Sequence, residues 1–152
     1  MKKFIAILFL TLVCIVGVSA GTADKYPYAK MEKAPELDVK GAVIFDIRDL
    51  QKKIEDNVAI INLTKMDSFM CDIYYVDGVT GEWSKNKFSA ALKGYGDRDI
   101  TEFPKGVKIK YMPYIAIRID HTGNFDFNVY ASHNDVYIEV SSQDESFEKI
   151  TN

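Results

Sequence analysis

The last third of the chain carries the plainest pattern of apolar and polar positions. Val107, Ile109 and Tyr111 alternate with Lys108 and Lys110, and Ile115, Ile117 and Ile119 alternate with Ala116, Arg118 and Asp120. Phe125, Phe127 and Val129 alternate with Asp126, Asn128 and Tyr130, and Val136, Ile138 and Val140 alternate with Tyr137 and Glu139. A period of two is that of a strand with one buried face. Between these runs, His121-Thr122-Gly123-Asn124 and Ser132-His133-Asn134-Asp135 are rich in turn-forming residues. The pattern predicts a three-strand antiparallel meander over residues 114–140.

A slip of one residue would turn every core side chain outward, so the pattern also predicts register. With the second turn at residues 132–135, Ala131 faces Val136, Val129 faces Ile138, Phe127 faces Val140, Tyr130 faces Tyr137 and Asn128 faces Glu139. The same reasoning at the first turn pairs Ile119 with Phe125, Ile117 with Phe127, Ile115 with Val129, Arg118 with Asp126 and Tyr114 with Tyr130. Tyr114, Tyr130 and Tyr137 then form one row across three strands.

Upstream, strands are expected at Ala42-Val43-Ile44-Phe45, over residues 57–64 and 69–76, from Trp83 to Leu92, and over residues 99–103. Asp49 stands where it would cap a two-turn helix over residues 49–57, with Leu50 and Ile54 four apart. Pro113 interrupts the run 107–120, which fits one bent strand or two separate ones. Gly94-Tyr95-Gly96-Asp97 and Pro104-Lys105-Gly106 are turn signals. About eight short strands at this spacing predict an all-β fold, an antiparallel β-sandwich with a small barrel as the second choice. Periodicity does not separate jelly-roll from immunoglobulin-like topology.

The first 20 residues are different in kind. Lys2 and Lys3 precede an apolar run over residues 4–16, and Val18 and Ala20 occupy the −3 and −1 positions before Gly21. This is the pattern of a cleaved secretory signal, and the run is shorter than the roughly 20 residues that span a bilayer. Residues 1–20 are therefore expected to be removed, leaving 21–152 as a single domain with 21–40, containing Pro27 and Pro35, as an extended arm. The chain of 152 residues is 47% hydrophobic with net charge −3. Without Lys2 and Lys3 the balance is 17 basic against 22 acidic residues, or −5. That deficit of cations excludes non-specific nucleic-acid binding. The mature part keeps Cys71 alone, so it has no internal disulfide; alternation puts that thiol on the core face with Phe69, Ile73 and Tyr75.

Candidate chemistry is sparse. His121 and His133 lie in separate turns and no zinc ligand set is visible. Asp120 and His121 are neighbours on an extended chain, where side chains point apart, so they are read as solvated turn residues and not a catalytic pair. Asp97 and Asp99 lack the spacing of a calcium loop. Asn62-Leu63-Thr64 is a formal glycosylation sequon only. The expectation is no catalytic residue, no metal and no cofactor. The tyrosine row Tyr114, Tyr130, Tyr137 is the one candidate ligand surface, either an aromatic platform, a cross-strand ladder that stabilises the sheet, or a surface covered by the arm. The functional expectation is an exported, non-catalytic binding or interaction module of the bacterial cell envelope, in the periplasm, on the surface or secreted. Its partner is a protein or a glycan, with no nucleic acid and no membrane span after cleavage. The alternatives are a small carboxylate-based hydrolase and a structural assembly protein.

Overall fold

A computed structural model describes residues 25–84 and 87–151. The expected signal segment and the first residues of the arm lie outside the described residues. The strands are β1 (Val43–Asp46), β2 (Ile54–Leu63), β3 (Ser68–Tyr75), β4 (Phe88–Lys93), β5 (Arg98–Thr101), β6 (Tyr114–Ile119), β7 (His121–Thr122), β8 (Asp126–Ser132), β9 (Asn134–Ser141) and β10 (Glu148–Lys149). They form a four-stranded first sheet in the order β1-β6-β3-β4, a four-stranded second sheet in the order β5-β2-β9-β8, and a β7–β10 ribbon. The molecule is an all-β sandwich without barrel closure.

Alternation fills the space between the sheets. Cys71 and Ile73 of β3, Leu92 of β4 and Ile115 and Ile117 of β6 point in from the first sheet; Val58 and Ile60 of β2 and Val136, Ile138 and Val140 of β9 point in from the second. Removing these branched side chains from water drives the two layers together. Burial pushes the Cys71 thiol far above its ordinary pKa, with the carboxylates of Asp120, Asp72 and Asp99 adding to the effect, so it stays a protonated, small apolar group.

One flank of the sandwich is sealed. The Asp99 carboxylate accepts the Ala91 amide of β4 at 2.7 Å, and that of Asp97 accepts the Lys93 amide at 2.7 Å. The acidic pair at the start of β5 thus occupies the outer amides of the neighbouring sheet's edge, a charge-assisted substitute for a ladder. Asn62, fully buried, ties two loops to the same end. Its amide nitrogen donates to Met66 O at 3.1 Å and Gly94 O at 3.0 Å, and its oxygen accepts the Thr64 amide at 2.8 Å and hydroxyl at 2.6 Å. The sequon is therefore a structural hub with its amide fully engaged.

Several expectations are corrected. The three-strand meander does not form. β8 and β9 pair as expected, with Phe127↔Val140, Val129↔Ile138, Tyr130↔Tyr137 and Ala131↔Val136, but β6 pairs with β1 and β3 in the opposite sheet. The chain bends at Asp120, and His121–Thr122 pair with Glu148–Lys149 instead of turning back onto β6. Beside β9 runs β2 in parallel, Val58↔Val136 through Leu63↔Ser141, a pairing that needs a long crossover; here it travels through the other sheet. The run 107–111 is not a strand but ends in a 3-10 turn, Ile109–Tyr111, with Ile109 and Met112 buried. The helix expected at 49–57 is a 3-10 segment, Arg48–Lys53, whose cap position is Ile47 with no side-chain cap bond. Trp83 makes an isolated bridge with Val76, and the next described strand, β4, begins at Phe88.

Candidate binding surface on the second sheet

The site begins with a turn. His133 and Asn134 have φ of 50° and 68°. Positive φ at both central residues of a two-residue loop is the type I′ hairpin, whose twist matches that of the flanking strands. Asparagine and histidine are both among the non-glycine residues enriched in this region. The turn locks Ser132 opposite Asp135 and so sets Tyr130 opposite Tyr137.

The two rings stack with centroids 5.5 Å apart and planes 11° apart. Tyr137, on a central strand, is 8% exposed, while Tyr130, on the edge strand, is half-buried. Registers carry the row further: Tyr137 faces Ala59 of β2, which faces Ile100 of β5. Ile100 is 42% exposed. The adjacent row runs Arg98, Ile61, Glu139, Asn128. Within these rows the Arg98 guanidinium donates to the Tyr137 hydroxyl at 3.4 Å, and Asn128 Nδ2 donates to Glu139 Oε1 at 2.8 Å. Partial burial, followed by the nearby Glu139 carboxylate, raises the Tyr130 phenol above its ordinary pKa. Among the described residues, no segment outside the second sheet hydrogen-bonds to or stacks on Tyr130, Tyr137 or Ile100.

Tyr114 is elsewhere. It lies on β6 opposite Asp46 of β1, in the first sheet, and is 6% exposed. The Arg48 guanidinium sits 5.6 Å from its ring centroid. Arg48 also clasps Asp46, with Nη2 to Oδ2 at 2.6 Å and Nε to Oδ1 at 2.9 Å, and donates to Met31 O of the arm at 3.3 Å. That clasp holds the Asp46 carboxyl below the usual carboxylate range. The arm continues across this side of the molecule: Tyr28 N donates to Gly78 O, Gln51 to Ala29 O, Trp83 Nε1 to Pro35 O at 2.8 Å, and Arg118 to Lys40 O. The tyrosine row is therefore broken: Tyr114 is buried in the first sheet beside Arg48, while Tyr130 and Tyr137 stay paired on the second.

Two further groupings escaped the sequence. Asp120 and His121 do meet: His121 Nδ1 lies 2.8 Å from Asp120 Oδ1, which also accepts the Met70 amide at 2.9 Å. The bend at Asp120 breaks the alternation that would have separated them. The carboxylate can orient the imidazole as in a hydrolytic dyad, yet among the described residues no hydroxyl or thiol hydrogen-bonds to that ring. Tyr26 of the arm stacks on Tyr111 at 3.8 Å, and the two rings, with Asp77 and Lys108, border a cavity of about 70 Å³. That is room for a small ion or waters, far below the size of a ligand pocket. Nothing in the sequence relates positions 26 and 111, since only the docked arm brings them together. Among the described residues, no three His, Cys, Asp or Glu side chains gather as a metal site. Compared with family models, with curated proteins and with solved structures, the chain matches none.

Proposed function

We propose that the protein is an exported, non-catalytic binding module of the bacterial cell envelope that engages a glycan or an extended protein segment on the outer face of its second sheet. The single observation that supports this reading is the Tyr130–Tyr137 stack, flanked by Arg98, Asn128 and Glu139, on a face where no described arm residue hydrogen-bonds to or stacks on the two rings. Tyrosine combines a flat apolar ring with a polar tip, which suits saccharide stacking and protein anchoring alike. The polar groups beside the rings would set orientation. Export rests on the signal-like residues 1–20, and N-terminal sequencing of the mature protein is expected to begin at Gly21.

The test is a glycan array read beside pull-down from envelope extract, using the mature wild-type protein, Tyr130→Ala and Tyr130→Phe. Loss of a bound glycan or partner in Tyr130→Ala, with retention in Tyr130→Phe, is the expected result. Binding that survives Tyr130→Ala unchanged would move the site off this face.

A further inference from the structure

We infer that the free edge of β8 pairs with β8 of a second copy of this chain, antiparallel about a two-fold axis at Val129, to make one continuous eight-stranded sheet. The inference does not depend on the partner-binding reading above. It starts from the asymmetry of the sandwich. Asp97 and Asp99 close the β4–β5 flank, whereas β1 and β8 end their sheets on the opposite flank, joined there by the Phe45–Phe127 edge-to-face contact at 5.2 Å.

A free edge invites another strand unless something blunts it, and the usual devices are shortness, lysine, proline or a bulge. β8 has none of them: it is seven residues long, contains no Lys or Pro, and keeps an unbroken register against β9 from Asp126 to Ser132. The 3-10 segment Arg48–Lys53 lies near it, but among the described residues no backbone hydrogen bond from another segment reaches Phe127, Val129 or Ala131. The turn bond between Ser132 C=O and Asp135 N–H sets the alternation of the ladder. Main-chain groups of Asn128 and Tyr130 go to β9, and those of Phe127, Val129 and Ala131 point out of the sheet. Those three positions are symmetric about Val129. A two-fold there sets Val129 against itself and Phe127 against Ala131, so every outward amide meets an outward carbonyl.

The side chains are compatible with the same axis. Asn128 faces Tyr130, and Asp126, the one charged residue of the strand, faces the neutral Ser132, so no like charges oppose. An isologous interface of this kind closes on itself as a dimer. On the same flank, Val43 and Ile44 of β1 are 40% and 41% exposed, apolar surface that the neighbouring copy would shield.

Sedimentation velocity of the mature protein from about 1 to 100 μM tests this with two single substitutions at one position. Ser132→Asp sets a second carboxylate against Asp126 across the axis, twice per dimer. Ser132→Lys sets an ammonium there instead. The expected result is a wild-type dimer whose dissociation constant rises roughly tenfold in the first and falls in the second, with unchanged far-ultraviolet circular dichroism in both. A strict wild-type monomer over the whole range overturns the inference. So does a dimer that both substitutions affect alike or leave untouched, since that assigns the contact to another face.

Discussion

The outer faces of the two sheets start from similar sequence and end in different states. Each presents an aromatic residue on a polar-facing position of a strand, Tyr114 on β6 and Tyr137 on β9. Over the first, the arm is docked through Trp83 to Pro35, Arg48 to Met31 and Gln51 to Ala29, and the ring becomes core under a guanidinium. On the second, the hydrogen-bond and ring partners of Tyr137 among the described residues belong to the same sheet: Tyr130 on one side, Arg98 at the hydroxyl. Tyr114 and Tyr137 are both buried, and the accessible ring of the second face is that of the half-buried Tyr130 on the edge strand.

The largest effect expected from this contrast is on stability. Tyr114→Ala removes a buried ring beneath Arg48 and should cost about 3–5 kcal/mol, the range for deleting a buried aromatic, seen as a lower urea midpoint. Tyr130→Ala removes one member of a half-buried cross-strand pair and should cost about 1 kcal/mol. Equal losses at the two positions would erase the distinction between the faces. Next in size is the arm itself. Trp83→Phe keeps the ring bulk but deletes the donor to Pro35 O, so a loss of about 1 kcal/mol is expected, with faster proteolytic cleavage within residues 25–40.

The smallest effects are titrations. The Tyr130 phenol should ionise later than the ordinary tyrosines, and the absorbance step near 295 nm that disappears in Tyr130→Phe should be a late one; Glu139→Gln should bring that step to lower pH. Cys71 follows the same sign rule. Its folded pKa is raised, so its contribution to stability is complete below the unfolded value of about 8.5 and is lost as pH rises above it. Native protein should accordingly resist thiol alkylation near neutral pH, and urea-unfolded protein should react fully.

Legibility in the sequence followed the range of the interactions. The β8–β9 register was readable residue by residue because strict alternation on either side of a turn-rich stretch is a local fact, although the turn expected over residues 132–135 is tighter, with Ser132 already paired to Asp135. The same logic failed for β6, whose Ile115, Ile117 and Ile119 alternate just as well but pair across to β1 and β3. Alternation reports which face is buried and is silent about the neighbour. It also misread β6 as half-buried, since Ala116 and Tyr114, on the other face, are buried too. The Asp120–His121 contact was missed for the complementary reason: the rule that adjacent side chains diverge holds within a strand, and the strand stops at Ile119.

By itself, then, the sequence determined the all-β class, the position of most strands, the burial of Cys71 and the facing of Tyr130 on Tyr137. These depend on period-two hydrophobicity and on turns, which act over a few residues. Tertiary structure alone decided which strands became neighbours, that Asp97 and Asp99 seal one flank while β8 ends its sheet on the other, and that Tyr114 lies beneath Arg48. Those outcomes join residues far apart in the chain. Each side chain's environment was chosen by the competition among long-range packings, which no local pattern encodes.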